Sequence, residues 1–223
     1  MDDTLAEAHS SLGDLLQYHD WNWEGAEREY RRAIQLNPSF ADAHLWYSDL
    51  LVTTGRNDEA VAEGRRALQL DPYSFFANSI FGQTLLLARR TDEAIEQARK
   101  TLDQGLDPVQ AASHKIIGLA YEQKGDLSSF ESGACLCGVR EETEALRLLA
   151  QLSETSRQRH VSPDAFAMIY AGLGEKDRVF EWLEKGYDER PSGLQYLRVE
   201  PRMESLRSDP RYQELLRRMG LPP

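Results

Sequence analysis

Long apolar runs, cysteine and proline are all scarce in this sequence. Apolar runs such as 85–88 are a few residues long, far short of the roughly 20 that span a bilayer as a helix. The opening stretch, "MDDTLAEAHSSLG", is acidic and has no apolar centre, so it does not read as a signal peptide. Two cysteines cannot build a disulfide framework, which points to a reducing, cytoplasmic setting. Nine prolines and 15 glycines in 223 residues suit a chain that is mostly helix. Positive charge is also short: 26 Lys and Arg face 37 Asp and Glu, for a net charge of -11. The deficit is concentrated in residues 1–126, which hold 21 acids and 12 bases. Phosphate binding requires Lys and Arg to displace counterions, so nucleic acid and anionic membranes are poor partners for this surface. A basic or neutral protein partner is expected, and self-association stays open.

What is present is a repeat. The segments "WEGAEREYRRAIQLNP", "NDEAVAEGRRALQLDP" and "TDEAIEQARKTLDQGLDP" align, with Ala26, Ala60 and Ala94 spaced by 34 and the third unit two residues longer before its proline. Pro38 and Pro72 keep the same interval. A small residue recurs upstream of each unit and once more beyond the third: Gly13, Ser48, Gly82 and Gly118. Within a unit, Ala60, Val61, Gly64, Ala67 and Leu68 follow a helical period. Small residues let two antiparallel helices approach closely. The residue before proline is driven out of the helical region, so Asn37 and Asp71 end helices. Gly55 and Gly125 occupy the usual C-terminal stop. The unit is helix, turn, helix, turn. Asp58-Glu59 and Asp92-Glu93 fall at second-helix starts, where carboxylates suit the positive helix end and read as capping residues.

This pattern resembles the tetratricopeptide repeat family. The resemblance implies an all-α, right-handed superhelix of antiparallel pairs running through residues 1–223 as a single solenoid. Its repeats fall near 6–39, 41–73, 75–108, 111–158 and 162–190, and a C-terminal cap at 196–220 covers the last pair. First helices are expected at 6–19, 41–54, 75–88 and 111–124. Family geometry points Glu7, Ser10, Asp14, Gln17, Asp42, Leu45, Asp49, Phe76, Ser79, Gln83, Lys115 and Glu122 into a concave groove. Relatives that clamp a carboxylate line that groove with Lys, Asn and Arg. Here Lys115 stands against Glu7, Asp14, Asp42, Asp49 and Glu122, so the implied ligand is a segment with Lys or Arg and an apolar anchor. Asp14 and Asp49 are expected to be exposed and replaceable by Asn without loss of stability. "YHDWNWEGAEREYRRAIQLNP", "IYAGLGEKDRVFEWLEKGYDER" and "SDPRYQELLRRMGLPP" also look like the repeat regions of bacterial multidomain regulators. That likeness makes a sensory or regulatory fragment binding a small ligand the alternative to an interaction scaffold.

The stretch "GDLSSFESGACLCGVREETEALRLL" breaks the pattern. Gly125 lacks an alanine five residues on, and the next match to Ala60 is Ala145. Either residues near 127–140 are inserted between the helices of the fourth repeat, or they are a short extra helix left from a degraded one. Alternation of first and second helices favours the insert, because 162–172 reads again as a first helix. Cys135-Leu136-Cys137 has no second thiol pair and no nearby histidine, so zinc is not expected. His9, His19, His44, His114 and His160 are scattered. No phosphate loop, nucleophile elbow or acid–base pair is present, which leaves no cofactor, no metal and no catalysis to expect. Trp21 and Trp23 sit in the first turn and are expected to fold over helix ends. At the C-terminus, Asp209-Pro210 opens a helix that Gly220 stops.

Overall fold

The expected helices are all in place in the computed structural model of the chain, which describes residues 5–107, 111–125, 142–157, 160–191 and 193–222. By compactness the chain divides into two units, Met1–Gly138 and Val139–Pro223. The first contains α1 (Ala6–Tyr18), α2 (Trp23–Leu36), α3 (Ala41–Thr53), α4 (Asn57–Leu70), α5 (Phe75–Leu87), α6 (Thr91–Asp103) and α7 (Ala111–Lys124). The expected insert near 127–140, with Cys135 and Cys137, lies outside the described residues.

In the first unit α1, α3 and α5 each run antiparallel to the helix that follows, α2, α4 and α6. The same polar link recurs in three pairs. His9 meets Glu29 at 2.6 Å, His44 meets Glu63 at 2.6 Å, and Gln97 donates to Asn78 at 2.7 Å. Ala26, Ala60 and Ala94 are fully buried at the crossings, and the Ser48 hydroxyl donates to the Ala60 carbonyl at 2.8 Å. Side-chain size is traded across the crossings. Tyr30 lies against Gly13, where an added Cβ would stand 2.6 Å from its ring. Gly64 holds Tyr30's place one repeat later, and Phe81 of α5 fills that space instead, so a Cβ on Gly64 would collide with its ring. Gly64→Ala gains roughly 1 kcal/mol of helix propensity but forces an overpacking cost of ~1–3 kcal/mol. Urea denaturation should show a net loss, and Phe81→Leu in the same chain should recover it.

The turns inside each pair share one device. Arg56 N–H reaches back to the Leu51 carbonyl at 2.8 Å, as Asn22 does to Leu16 and Arg90 to Leu85. The closure requires a left-handed residue, which is Gly55 at φ 82°; Gly125, at the end of α7, is also left-handed at φ 70°. Trp21 and Arg89 hold the equivalent places without being glycine, at φ 53° and 62°. Trp21 and Trp23 are buried over the helix ends, as expected. Asn37 and Asp71, before their prolines, are extended at φ -140° and -136°.

Asp58 and Asp92 do more than start helices. Neither α4 nor α6 has a side-chain cap. Instead Arg90 pairs with Asp58 at 2.9 Å and Lys124 with Asp92 at 2.6 Å, each cation clasping a carboxylate of the preceding repeat. Arg56 occupies the same place in the repeat and binds Glu27 at 2.7 Å. Burial alone would raise the Glu27 carboxyl, yet Arg56, Tyr47 and Arg31 together hold it below the usual carboxylate range. A cation recurs every 34 residues, at Arg56, Arg90 and Lys124, and the pairs form a ladder along the turns.

The second unit contains α8 (Glu142–Ser156), α9 (Pro163–Leu173), α10 (Lys176–Glu189) and α11 (Pro210–Arg218). Phe166 and Trp182 stack at 4.1 Å to join α9 to α10. The connection expected to be irregular contains two short 3₁₀ helices, Leu194–Tyr196 and Pro201–Leu206. They bury Leu194, Met203 and Leu206. Asp209 caps α11 by accepting from Arg211 N–H at 2.9 Å. Arg211 over Phe180 and Arg218 over Tyr187 seat α11 on α10.

Candidate functional site

The residues expected to line a groove divide by burial. Glu7, Asp42, Phe76 and Lys115 are exposed, and Asp14, Ser79, Gln83 and Glu122 are half-buried. Ser10, Gln17, Leu45 and Asp49 are buried. Leu45 is therefore no surface anchor. It packs with Ala67 and Ala77 between α3, α4 and α5, because its neighbour Trp46 takes the outward direction.

Asp49 also departs from expectation. It is 2% exposed and accepts hydrogen bonds from Gln17 Nε2 and Tyr18 Oη, each at 2.8 Å. It ties the first repeat to the second, so replacing it cannot be neutral for stability. Tyr30 Oη donates to Asp14 at 2.8 Å and to Gln17 Oε1 at 3.1 Å, which extends the network into α2.

Asp14 and Asp49 are linked through Tyr30 and Gln17, and exposed Asp42 stands earlier on α3 than Asp49. The Asp14 carboxyl is raised above its ordinary range, first by burial and then by Asp49 and Asp42; the Tyr30 hydrogen bond opposes the rise. An aromatic row lies beside them, and only Phe76 of the row was foreseen. Tyr18 meets Trp46 edge-on at 6.1 Å and Trp46 meets Phe76 at 5.2 Å. The row crosses α1, α3 and α5, and its end, Phe76, is 49% exposed. The missed residues carry a sequence signal: Tyr18 is four after Asp14, and Trp46 is four after Asp42 and three before Asp49, which is helical-face spacing. Glu7 lies on α1, Ser79 and Gln83 on α5, and Lys115 and Glu122 on α7.

A second surface, the cleft between α6 and α7, is lined by side chains of both charges, including Asp92, Glu96, Arg99 and Lys100. Three of its charged side chains are engaged locally: Arg99 donates to Tyr121 at 3.0 Å and Lys124 to Asp92 at 2.6 Å. Among the described residues, no His, Cys, Asp and Glu group is arranged to hold a metal ion, and no helix is long and apolar enough to cross a membrane.

Residues 21–75 and 81–136 match the tetratricopeptide repeat family. The second match runs from within the third repeat through residues 127–136. No curated protein matches the chain. Among solved structures, the chain is similar to pilF of Pseudomonas aeruginosa at 22% identity, covering 96% of this chain and 91% of that one with a TM-score of 0.48. YrrB, described as a TPR protein with an unusual peptide-binding site, is 18% identical over 89% of this chain and 93% of its own, with a TM-score of 0.46. MamA is 16% identical over 93% and 97%, with a TM-score of 0.49. Likenesses of this size say nothing about a partner.

Proposed function

Since the chain carries tetratricopeptide repeats, which in general mediate protein–protein interaction, we propose that it is a non-catalytic cytoplasmic scaffold whose α1–α3–α5 face holds a basic segment of another protein. The observation that carries this reading is exposed Asp42 and half-buried Asp14, whose carboxyl is raised by burial and by Asp49 and Asp42, on helices that also present Tyr18, Trp46 and Phe76. A basic side chain arriving beside Asp42 and Asp14 would relieve the repulsion that raises the Asp14 carboxyl. An aromatic row gives the arriving side chain an apolar surface to lie on. Glu7 and Glu122 add negative charge further along the face, Ser79 and Gln83 add polar groups, and Lys115 is its one predicted cation.

The test begins with the partner recovered by co-purification and identified, followed by titration at low and high salt. Exposed charges contribute little to folding, so Asp42→Asn should leave stability unchanged. It should weaken binding and flatten the salt dependence, since the attraction is screened over about 8 Å at physiological ionic strength. Unchanged binding at both salts would move the contact off this face.

The pH dependence has a definite sign. Asp14 has a raised carboxyl in the fold, so it takes up a proton at a higher pH than an ordinary carboxylate as pH falls. The groove then loses a negative charge and the basic segment binds less tightly. Folding has the opposite sense: a raised carboxyl favours the protonated fold, so its contribution to stability improves as pH drops. Asp14→Asn should remove the acid-side weakening of binding and leave stability at neutral pH equal or slightly higher. Isothermal titration across the acid range, beside thermal melts, checks both.

A further inference from the structure

Building on the acidic-groove reading, we infer that the Tyr18–Trp46–Phe76 row selects arginine over lysine as the anchoring cation of the bound segment. The three rings meet edge to face in a row across α1, α3 and α5, with centroid spacings of 6.1 Å and 5.2 Å. Carboxylates stand on the same helices: Asp14 four residues before Tyr18 on α1, Asp42 four before Trp46 on α3, and Asp49, which accepts from Tyr18. Asp49 is occupied by Gln17 and Tyr18, so the carboxylates left to meet a ligand are exposed Asp42 and half-buried Asp14. Charge complementarity therefore fixes a cation as the occupant. The aromatic surface decides which cation. A guanidinium is planar, weakly hydrated and able to stack on a ring while its N–H groups reach a carboxylate in a fork. An ammonium is a compact, strongly hydrated point charge that gains less from a ring surface. The open end of the row at Phe76, 49% exposed, gives the arginine stem a place to lie.

Two short acetylated and amidated peptides test this. They are identical in Gly, Ser and Leu content and differ only in carrying Arg or Lys at the same positions. Each is titrated into isotopically labelled protein at low salt, with backbone and indole signals of α1, α3 and α5 followed by NMR. The Arg peptide should shift those signals and bind more tightly than the Lys peptide by about two- to five-fold. In Phe76→Leu, where an exposed side chain is shortened and folding is not at stake, the ratio should fall toward one. Trp46→Leu, checked for folding by circular dichroism, should do the same. If both peptides move the same signals with equal affinity, and both weaken in Asp42→Asn, the acidic groove stands and arginine selection is overturned. If neither peptide moves signals on α1, α3 or α5, both readings fall together.

Discussion

Ala60→Leu should destabilise the first unit by about 3 kcal/mol, the upper end of the overpacking range. The side chain is fully buried and its own carbonyl accepts the Ser48 hydroxyl at 2.8 Å, so α3 cannot withdraw without losing that hydrogen bond as well. Gly64 lies one turn further along α4 under the Phe81 ring, which blocks the other direction of escape. Ala94→Leu meets the same situation one repeat later, beside the link from Gln97 to Asn78. Chemical denaturation followed by circular dichroism measures both. A midpoint unchanged in either variant would mean that these alanines do not set the helix separation.

Asp49→Ala should cost a similar amount, about 3 kcal/mol, for a different reason. It removes the charged acceptor of two hydrogen bonds, from Gln17 and Tyr18, in a place that is 2% exposed. Each such bond contributes about 1.5–3 kcal/mol, and taking away one partner is worse than never having had the pair. Asp42→Ala, on the exposed side of the same helix, is the control and should stay within about 0.5 kcal/mol. Parallel melts of the two variants separate a carboxylate that holds repeats together from one that is free to face a ligand. Equal melting temperatures would show that burial of Asp49 contributes nothing.

That contrast marks where reading the residues in order stops being enough. The first helices expected at 6–19, 41–54, 75–88 and 111–124 begin where α1, α3, α5 and α7 begin and end within one residue of them. Their signals are local: apolar period, small residues, a glycine stop and a pre-proline break. The site depends on contacts between repeats. Asp49 and Gln17 are 32 residues apart, and nothing near either one marks the hydrogen bond. Leu45 and Trp46 are neighbours, about 100° apart around a helix of 3.6 residues per turn. The same register that leaves Asp42 and Phe76 exposed puts Leu45 in the core, and its neighbour Trp46 lies nearer the surface. Which of the two turns outward is decided by Ala67 and Ala77 leaving room for leucine, and by Tyr18 and Phe76 receiving the indole. The acids at 58 and 92 show the same limit: both stand at helix starts, and their cations are 32 residues away.

The charged ladder along the turns has a mechanical meaning. Every rung joins one repeat to its immediate predecessor: Arg56 to Glu27, Arg90 to Asp58, Lys124 to Asp92. A pull applied to the end of such an array loads a single rung at a time, and each released pair leaves the next one intact. Detachment is then expected to proceed as peeling, in small sequential steps, with each rung adding a small salt-dependent part to the packing that joins the repeats. Raising the salt should soften every step by the same small amount, so the spacing of the steps stays fixed while their height falls.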